Sequence, residues 1–354
     1  MISDFWLYYF LVFLFFLGNI FTFSNLRDKV SCNLFYSSFI ILLFCLSVFK
    51  DISVGVDNIV YKEIFDWVQN TNSFGIYEPG YVYLNLFSQN ISNNFNFFLF
   101  LVFTIIFFNI NFFIRRISKN HILSITIFFL FFFIEFNSML RQAIAISFFL
   151  RGLIHLNENN NKKYYLTAII AFLFHYSAII IFFFPLFSKL RFNNYKSILL
   201  LILMFIILTN VGSSLYFTQL ESYNKYLLDD ETSGLYAIGQ SLFAISYLII
   251  YFSTNNNNNN GKRKITISTN FNYWMITLFI LTSLVSIKIP VISRFTWYFA
   301  IPFLYLIPNN FTYNLNRKKA IGAISLISIL VIYQTIIFIY RPQWGGFFPY
   351  STFF

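Results

Sequence analysis

Apolar runs close to the length of one membrane crossing recur along the whole chain. They fall at Phe5–Ser24, Ser31–Phe49, Phe95–Ile114, Ile122–Ser138, Gln142–Leu156, Ser197–Val211, Tyr236–Phe252, Phe271–Ile287, Arg294–Leu306 and Ala320–Tyr340. A helix crosses the hydrocarbon with about 20 predominantly apolar residues, so these runs predict about ten full transmembrane helices. Two polar stretches interrupt them. Lys50–Asn94 is too charged to span, and Gly212–Leu235 contains Asp229, Asp230 and Glu231. The segment Tyr164–Phe187 is ambiguous, because it reads either as one tilted span or as two short halves that turn back near His175.

Loop charge decides between these two readings. Cytoplasmic loops carry an excess of Lys and Arg. If the segment crosses once, Arg27, Lys29, Arg115, Arg116, Lys119, Lys162 and Lys163 share one side. The clusters Lys189/Arg191/Lys196, Lys262/Arg263/Lys264 and Arg317/Lys318/Lys319 then fall on the other side. If it breaks and returns, all these clusters lie together in the cytoplasm. The outer side keeps only the scattered Lys50, Lys62, Arg141, Lys225, Lys288, Arg294 and Arg341, and Arg151 alone remains inside a span. The second arrangement is expected: a broken or re-entrant helical pair, both termini outside, and both polar stretches (50–94 and 212–235) as outer loops of a single transmembrane domain. Ser177 is the candidate N-cap of the second half.

Composition agrees with the pattern. Hydrophobic residues make up 58% of the 354, charged residues 10%, and mean hydropathy is +0.67. A soluble domain carries about 25% charged residues, so the fold class expected is an all-α polytopic membrane protein. The net charge of +11 is spread over loops and not gathered into a patch, which argues for the positive-inside rule and against nucleic acid. Phe, Ile and Asn are abundant; this reads as AT-rich codon usage with no chemistry of its own. Cys32 and Cys45 sit thirteen residues apart in or beside one apolar run, roughly 20 Å along a helix, too far for a disulfide. No redox centre, metal or cofactor is expected, because the three histidines lie at different depths. The N-terminus lacks a basic region and a small-residue cleavage site, so Phe5–Ser24 is expected to be a retained span.

The polar residues that remain gather at the outer face: Asp51, Asp57, Glu63, Asp66, Glu78, Arg141, His175, Lys288, Arg294 and Arg341. No Gly-rich phosphate loop or D-x-D occurs in the cytoplasmic loops. Arg141 and Arg294 each open an apolar helix, where a guanidinium is costly unless paired, wetted or bound to an anion. For Arg141 the structural alternatives are an ion pair with Glu135 or snorkelling to headgroups. His175 sits at the inferred reversal, either as a catalytic group or as a core histidine. Asp57 and Tyr61, then Tyr77-Glu78-Pro79-Gly80-Tyr81 around a turn, are residue types that grip and activate sugar hydroxyls, although interfacial tyrosines on a solvated loop would look alike.

These same pieces carry a resemblance. Val54-Gly55-Val56-Asp57 with Tyr61, Glu78-Pro79-Gly80-Tyr81 with Leu84, and Arg141-Gln142 with Ala145 resemble the EpsG family of capsular and exopolysaccharide polymerases, relatives of the O-antigen polymerases. So do His175-Tyr176-Ser177-Ala178, Ser293-Arg294 with Tyr298, and Pro349-Tyr350. One departure is Lys50, which stands where an arginine is expected. The resemblance implies glycosyl transfer at the outer face of a bacterial cytoplasmic (inner) membrane, between donor and acceptor oligosaccharides linked to undecaprenyl pyrophosphate. A flippase and a chain-length regulator are the implied protein partners. Arg141 and Arg294 would hold the leaving pyrophosphate, with Tyr61, Tyr81, Gln142 and Lys50 as further substrate-binding residues. His175 is the first choice as base, with Asp57 or Glu78 as alternatives. A lipid-linked oligosaccharide flippase or transporter would want polar residues through the whole membrane depth. A membrane acyltransferase would draw its donor from the cytoplasm, and a polyprenyl-sugar transferase would use Asp51 and Asp57.

Overall fold

The structure, a computed structural model, describes residues 5–23, 29–71, 75, 77–191, 206, 233–254, 269–287, 289–312, 317–340 and 346–353. Two units separate, Met1–Ile179 with Phe303–Phe354 and Ile180–Pro302. The first holds α1 (Trp6–Phe23), α2 (Lys29–Val48), α3 (Asn58–Thr71), α4 (Pro79–Ile91), α5 (Phe95–Ile117), α6 (His121–Ser138), α7 (Leu140–Asn157) and α8 (Asn161–Phe174). A 3-10 segment, Tyr176–Phe183, leads into the second unit, with α9 (Phe184–Lys189), α10 (Ser233–Thr254), α11 (Thr269–Val285) and α12 (Ser293–Ala300). The chain then returns to the first unit as α13 (Phe303–Thr312) and α14 (Arg317–Tyr340).

Every named element among the described residues is helical, apart from a single antiparallel bridge between Lys50 and Thr352. Among the described residues five helices are long and apolar enough to cross a membrane: α2, α5, α6, α14 and the Tyr236–Ser253 part of α10. Trp6–Thr22, Tyr176–Lys189 and Asn270–Val285 are shorter apolar helical stretches. The expected span Ser197–Val211 lies outside the described residues except for residue 206, and so does most of the second polar stretch. The expected span Arg294–Leu306 is not one helix. It breaks between Ala300 and Phe303, where Pro302 removes a backbone donor and its ring opposes an unbroken helix.

Asparagine, read above as a compositional bias, has structural work here. Asn94, Asn120 and Asn160 cap α5, α6 and α8, each side chain accepting from a backbone amide of the first turn at 2.8–3.1 Å. At the other end of α5, Arg115 and Arg116 occupy the last turn, where cations suit the helix dipole. Arg151, left inside a span by the charge count, donates from Nε to Asn109 Oδ1 (2.6 Å) and lies over the Phe108 and Phe112 rings. Asn109 in turn donates to Ser147 (3.0 Å), which ties α5 to α7.

Several contacts fix the two ends of the first unit. At one end Lys119 N donates to Asn309 (2.7 Å) and Asn309 to the Ile117 carbonyl (3.1 Å). The described Arg115, Arg116, Lys162, Lys163 and Arg317–Lys319 stand in the first or last turns of helices, and Lys119 in the connection between α5 and α6. At the opposite end Phe5 stacks on Phe338 (4.7 Å between centroids). There the tail pairs with the segment after α2, Asp51 N donating to Ser351 O (2.9 Å) and Gly55 N to Gly346 O (2.7 Å). Gly55 (φ +106°) and Gly346 (φ +55°) hold backbone conformations that favour glycine, and a Cβ on Gly55 would lie 2.9 Å from the Asn137 carbonyl oxygen.

Candidate functional site

The polar stretch 50–94 is helical through most of its length, and its turn between α3 and α4 builds the site. Pro79 takes the first position of α4, where its fixed φ suits a helix start and no amide is lost. Gly80 follows because of space, since a Cβ there would stand 2.8 Å from the Leu173 carbonyl oxygen. That close approach sets the start of α4 against the last turn of α8, one residue before His175.

The α-helix of α8 ends at Phe174, and His175 is extended (φ −159°, ψ 124°). Its amide caps back to the Ala171 carbonyl (3.0 Å), and its own carbonyl accepts from Ala178 N (2.9 Å). A helix break at His175 is therefore present, without glycine or proline. Ser177, the expected N-cap, lies inside the 3-10 segment and does not start it. Tight 3-10 turns satisfy the ends of an interrupted helix in place of a side-chain cap.

Glu78 lies between three elements. It is buried at 3% exposure, its Oε1 is 2.8 Å from His175 Nδ1, and its Oε2 accepts from Arg141 Nη1. Arg141 stands in the first turn of α7, which begins at Leu140 after Met139, the one-residue joint with α6. Its guanidinium lies 5.8–5.9 Å from the ring centroids of Tyr61, Tyr77 and Tyr81. The cation is thus enclosed by three aromatic faces and neutralised by one carboxylate. Among the described residues its Nε is buried and has no hydrogen-bond partner, a state uncommon enough in native proteins to need a reason.

Burial alone would raise the Glu78 pKa. The hydrogen bond with His175 and the charge of Arg141 outweigh it and hold the carboxyl at about 2. Burial pushes the Tyr61 phenol up to about 12, against the pull of Arg141. With Glu78 ionised, a neutral His175 keeps its proton on Nδ1 toward the carboxylate, and the lone pair belongs to Nε2.

The other residues singled out in the sequence are placed as follows. Asp57 precedes α3, its carbonyl accepts from Tyr61 N (2.9 Å), and its charge acts on the Tyr61 phenol. Tyr61 and Tyr81 are buried and face Arg141. Gln142 is buried beside it on α7. Lys50 is wholly buried and donates to the Asn137 carbonyl (2.8 Å), and burial holds its pKa well below the ordinary lysine value. Arg294 is half-buried near the start of α12 in the second unit. Asp51 Oδ1 accepts from Ser53 N (2.9 Å) and Ser53 Oγ (2.7 Å), which lowers its carboxyl pKa. Among the described residues no group of three or more His, Cys, Asp or Glu side chains is placed to hold a metal ion.

The sequence reading did not find that Glu78 is shared. The Arg141 ion pair weighed there was with Glu135, six positions away, whereas the observed partner is 63 positions away and His175 is 97 from Glu78. Nor did it give Tyr77 a place against Arg141. The signal available was the compressed run Tyr77-Glu78-Pro79-Gly80-Tyr81, in which every residue now has a part.

The family profile of the EpsG family matches residues 33–352. The chain belongs to the EpsG family. No curated protein and no solved structure matches it. The matched span of this EpsG protein includes Lys50, Asp57, Tyr61, Glu78, Tyr81, Arg141, Gln142, His175 and Arg294. Together with its apolar helices, that membership makes it a multi-pass membrane protein with a polysaccharide-polymerase type of role.

Proposed function

We propose that this EpsG protein polymerises oligosaccharide repeat units carried on undecaprenyl pyrophosphate, at the outer face of a bacterial cytoplasmic membrane. The observation that carries the reading is the one carboxylate, Glu78, shared by His175 and Arg141. In this reaction the acceptor's sugar hydroxyl attacks the anomeric carbon of the donor chain. The new glycosidic bond forms as the bond to lipid pyrophosphate breaks, and the hydroxyl proton must be taken up.

His175 takes that proton on Nε2, and Glu78 fixes its tautomer and steadies the imidazolium that forms. Before reaction the trio Glu78, Arg141 and neutral His175 carries no net charge. After proton transfer it carries one positive charge, while the departing pyrophosphate gains negative charge. The site thereby becomes more favourable to the leaving group as the transition state develops. Arg141 offers Nε and the rest of its fork to a phosphate oxygen while Glu78 holds Nη1. Tyr61 and Tyr81 face it as sugar- and hydroxyl-binding groups, and Gln142 and Asp57 are assigned the same part from the sequence pattern. Arg294 is assigned a cation's part from the sequence pattern.

The test is polymer formation in cells carrying Arg141→Lys, Arg294→Lys or His175→Ala, with the protein's membrane level measured alongside. Lysine cannot reproduce the fork. Each variant is expected to lose polymerisation by about 10²-fold or more, as for removal of one preorganised donor, while single repeat units still reach their acceptor. Long polymer in cells carrying Arg141→Lys and in cells carrying His175→Ala would overturn the assignment.

A further inference from the structure

The joint between α6 and α7 places Arg141, and a buried lysine from a distant segment meets that joint. In an unbroken helix the Asn137 carbonyl would accept from the amide of Arg141, four residues on. Met139 (φ −104°, ψ 64°) breaks the helix between the two, so both groups need other partners. The Arg141 amide acts on the Tyr61 phenol. The Asn137 carbonyl accepts from Lys50 Nζ at 2.8 Å.

Lys50 reaches that carbonyl from the segment after α2. Its backbone is held by the bridge to Thr352, and Asp51 N beside it donates to Ser351 O (2.9 Å). Its side chain is wholly buried, with Nζ 5.3 Å from the Phe103 ring centroid. Among the described residues no carboxylate pairs with it. Taking an ammonium out of water without a counter-ion is costly. What Lys50 makes there is a hydrogen bond to the carbonyl that the break exposes. No surface of Lys50 is left for a ligand, so a contact within the protein stands where the sequence pattern suggested a substrate contact. Gly55 closes on the same oxygen, since a Cβ there would lie 2.9 Å from it. The α2–α3 connection thus meets this carbonyl twice.

We propose that Lys50 is a positioning residue for Arg141, its hydrogen bond to the Asn137 carbonyl holding open the joint from which α7 starts. Without that donor the buried carbonyl is satisfied by restoring the helical bond from the Arg141 amide. The first turn of α7 then rotates and withdraws the guanidinium from Glu78 and from its three aromatic rings. The proposal rests on the glycosyl-transfer reading only for what Arg141 does, not for how it is held.

Phenylglyoxal reports how Arg141 is held, because it modifies guanidinium groups that are free of partners. The full-length protein is placed in phosphatidylcholine nanodiscs, and modification of Arg141 is followed by mass spectrometry with the exposed Arg116 as internal reference. In Lys50→Met, similar in shape but without a donor, Arg141 is expected to react about fivefold faster or more, the lower end of coupling between linked sites. A lysine that only filled space would be replaced by methionine with no effect at Arg141. Lys50→Arg restores a donor and is expected to return Arg141 to the slow rate. Polymer formation in cells carrying Lys50→Met separates the two claims. Fast modification with polymer reduced by about 10²-fold, the cost of a small misplacement at a reacting centre, supports both. Fast modification with undiminished polymer leaves the positioning role standing and removes Arg141 from the reaction. A slow rate at Arg141 in Lys50→Met overturns the proposal. So does a fast rate in Lys50→Arg, which decides the matter even where the methionine variant does not accumulate.

Discussion

Glu78 serves two partners with its two carboxylate oxygens, and its neutral isostere should cost both. In Glu78→Gln one of the two oxygens becomes an NH2 donor, so the amide cannot present an acceptor to His175 at one position and to Arg141 at the other. Turnover is expected to fall by about 10²-fold or more, since the histidine loses its fixed tautomer. Acid titration separates a charge effect from a packing effect. The folded-state pKa of about 2 lies below the ordinary value of 4.5, so the unfolded chain binds the proton more tightly. The stabilisation from this carboxylate is then complete above about pH 4.5 and is lost as pH falls toward 2. Thermal melts of the solubilised protein should show Glu78→Gln below wild type, by a gap constant above pH 4.5 and narrowing beneath it. A gap independent of pH across that window would mean that the carboxylate is not held ionised by its partners. The types of these residues were legible in the sequence, because a carboxylate, a histidine and an arginine in apolar surroundings demand partners. Which one meets which was not legible, because the contacts join segments many positions apart through packing that no local pattern encodes.

The start of α4 shows what an element can require of one residue. Gly80 faces backbone atoms, the Leu173 carbonyl oxygen at 2.8 Å and carbon at 3.0 Å from a built Cβ. Gly18 in α1 faces the far end of the Phe39 ring, at 2.8 Å. A ring edge can turn aside, but a carbonyl inside a helix cannot without moving that helix. Gly80→Ala is therefore expected to destabilise by about 1–3 kcal/mol, the usual cost of overpacking, and to draw Glu78 away from His175 with loss of polymer. Gly18→Ala is expected to keep near-normal polymer, helped by the better helix propensity of alanine. Equal polymer from the two variants would show that the α4–α8 approach does not position the site. At this scale the sequence yielded apolar elements such as α2, α5 and α14, and charge parity put a reversal of the chain at His175, where the α-helix of α8 ends. It did not yield the π-helical stretch Phe128–Phe133 within α6, because six consecutive large apolar residues carry no periodicity to shift. The pair of helices in place of Arg294–Leu306 was signalled by Pro302, which the length criterion overrode.

For the whole molecule, the distribution of charge is the feature the sequence expressed most fully. In the first unit the described basic clusters stand at one end of the helices, and Asp51, Asp57, Glu63, Asp66 and Glu78 at the other. Such segregation is what the positive-inside rule demands of a chain whose polar segments are sorted during insertion. The break at His175 is the step on which parity depends. If the chain turns back there, the α7–α8 connection and the end of α9 face the same compartment. If it continues across, they face opposite ones. Single cysteines at Asn159 and at Lys189, in a background with Cys32 and Cys45 replaced by serine, distinguish these cases. Both are expected to resist an impermeant thiol reagent in intact cells and to react once the membrane is opened. A cysteine at Glu63, exposed on α3, is expected to react from outside. Labelling of the Lys189 position from outside would make Tyr164–Lys189 a single crossing. The outer-face assignment of Arg294 by loop charge would then be lost. Glu78, Arg141 and His175 belong to the first unit, and their shared contact would stand unchanged.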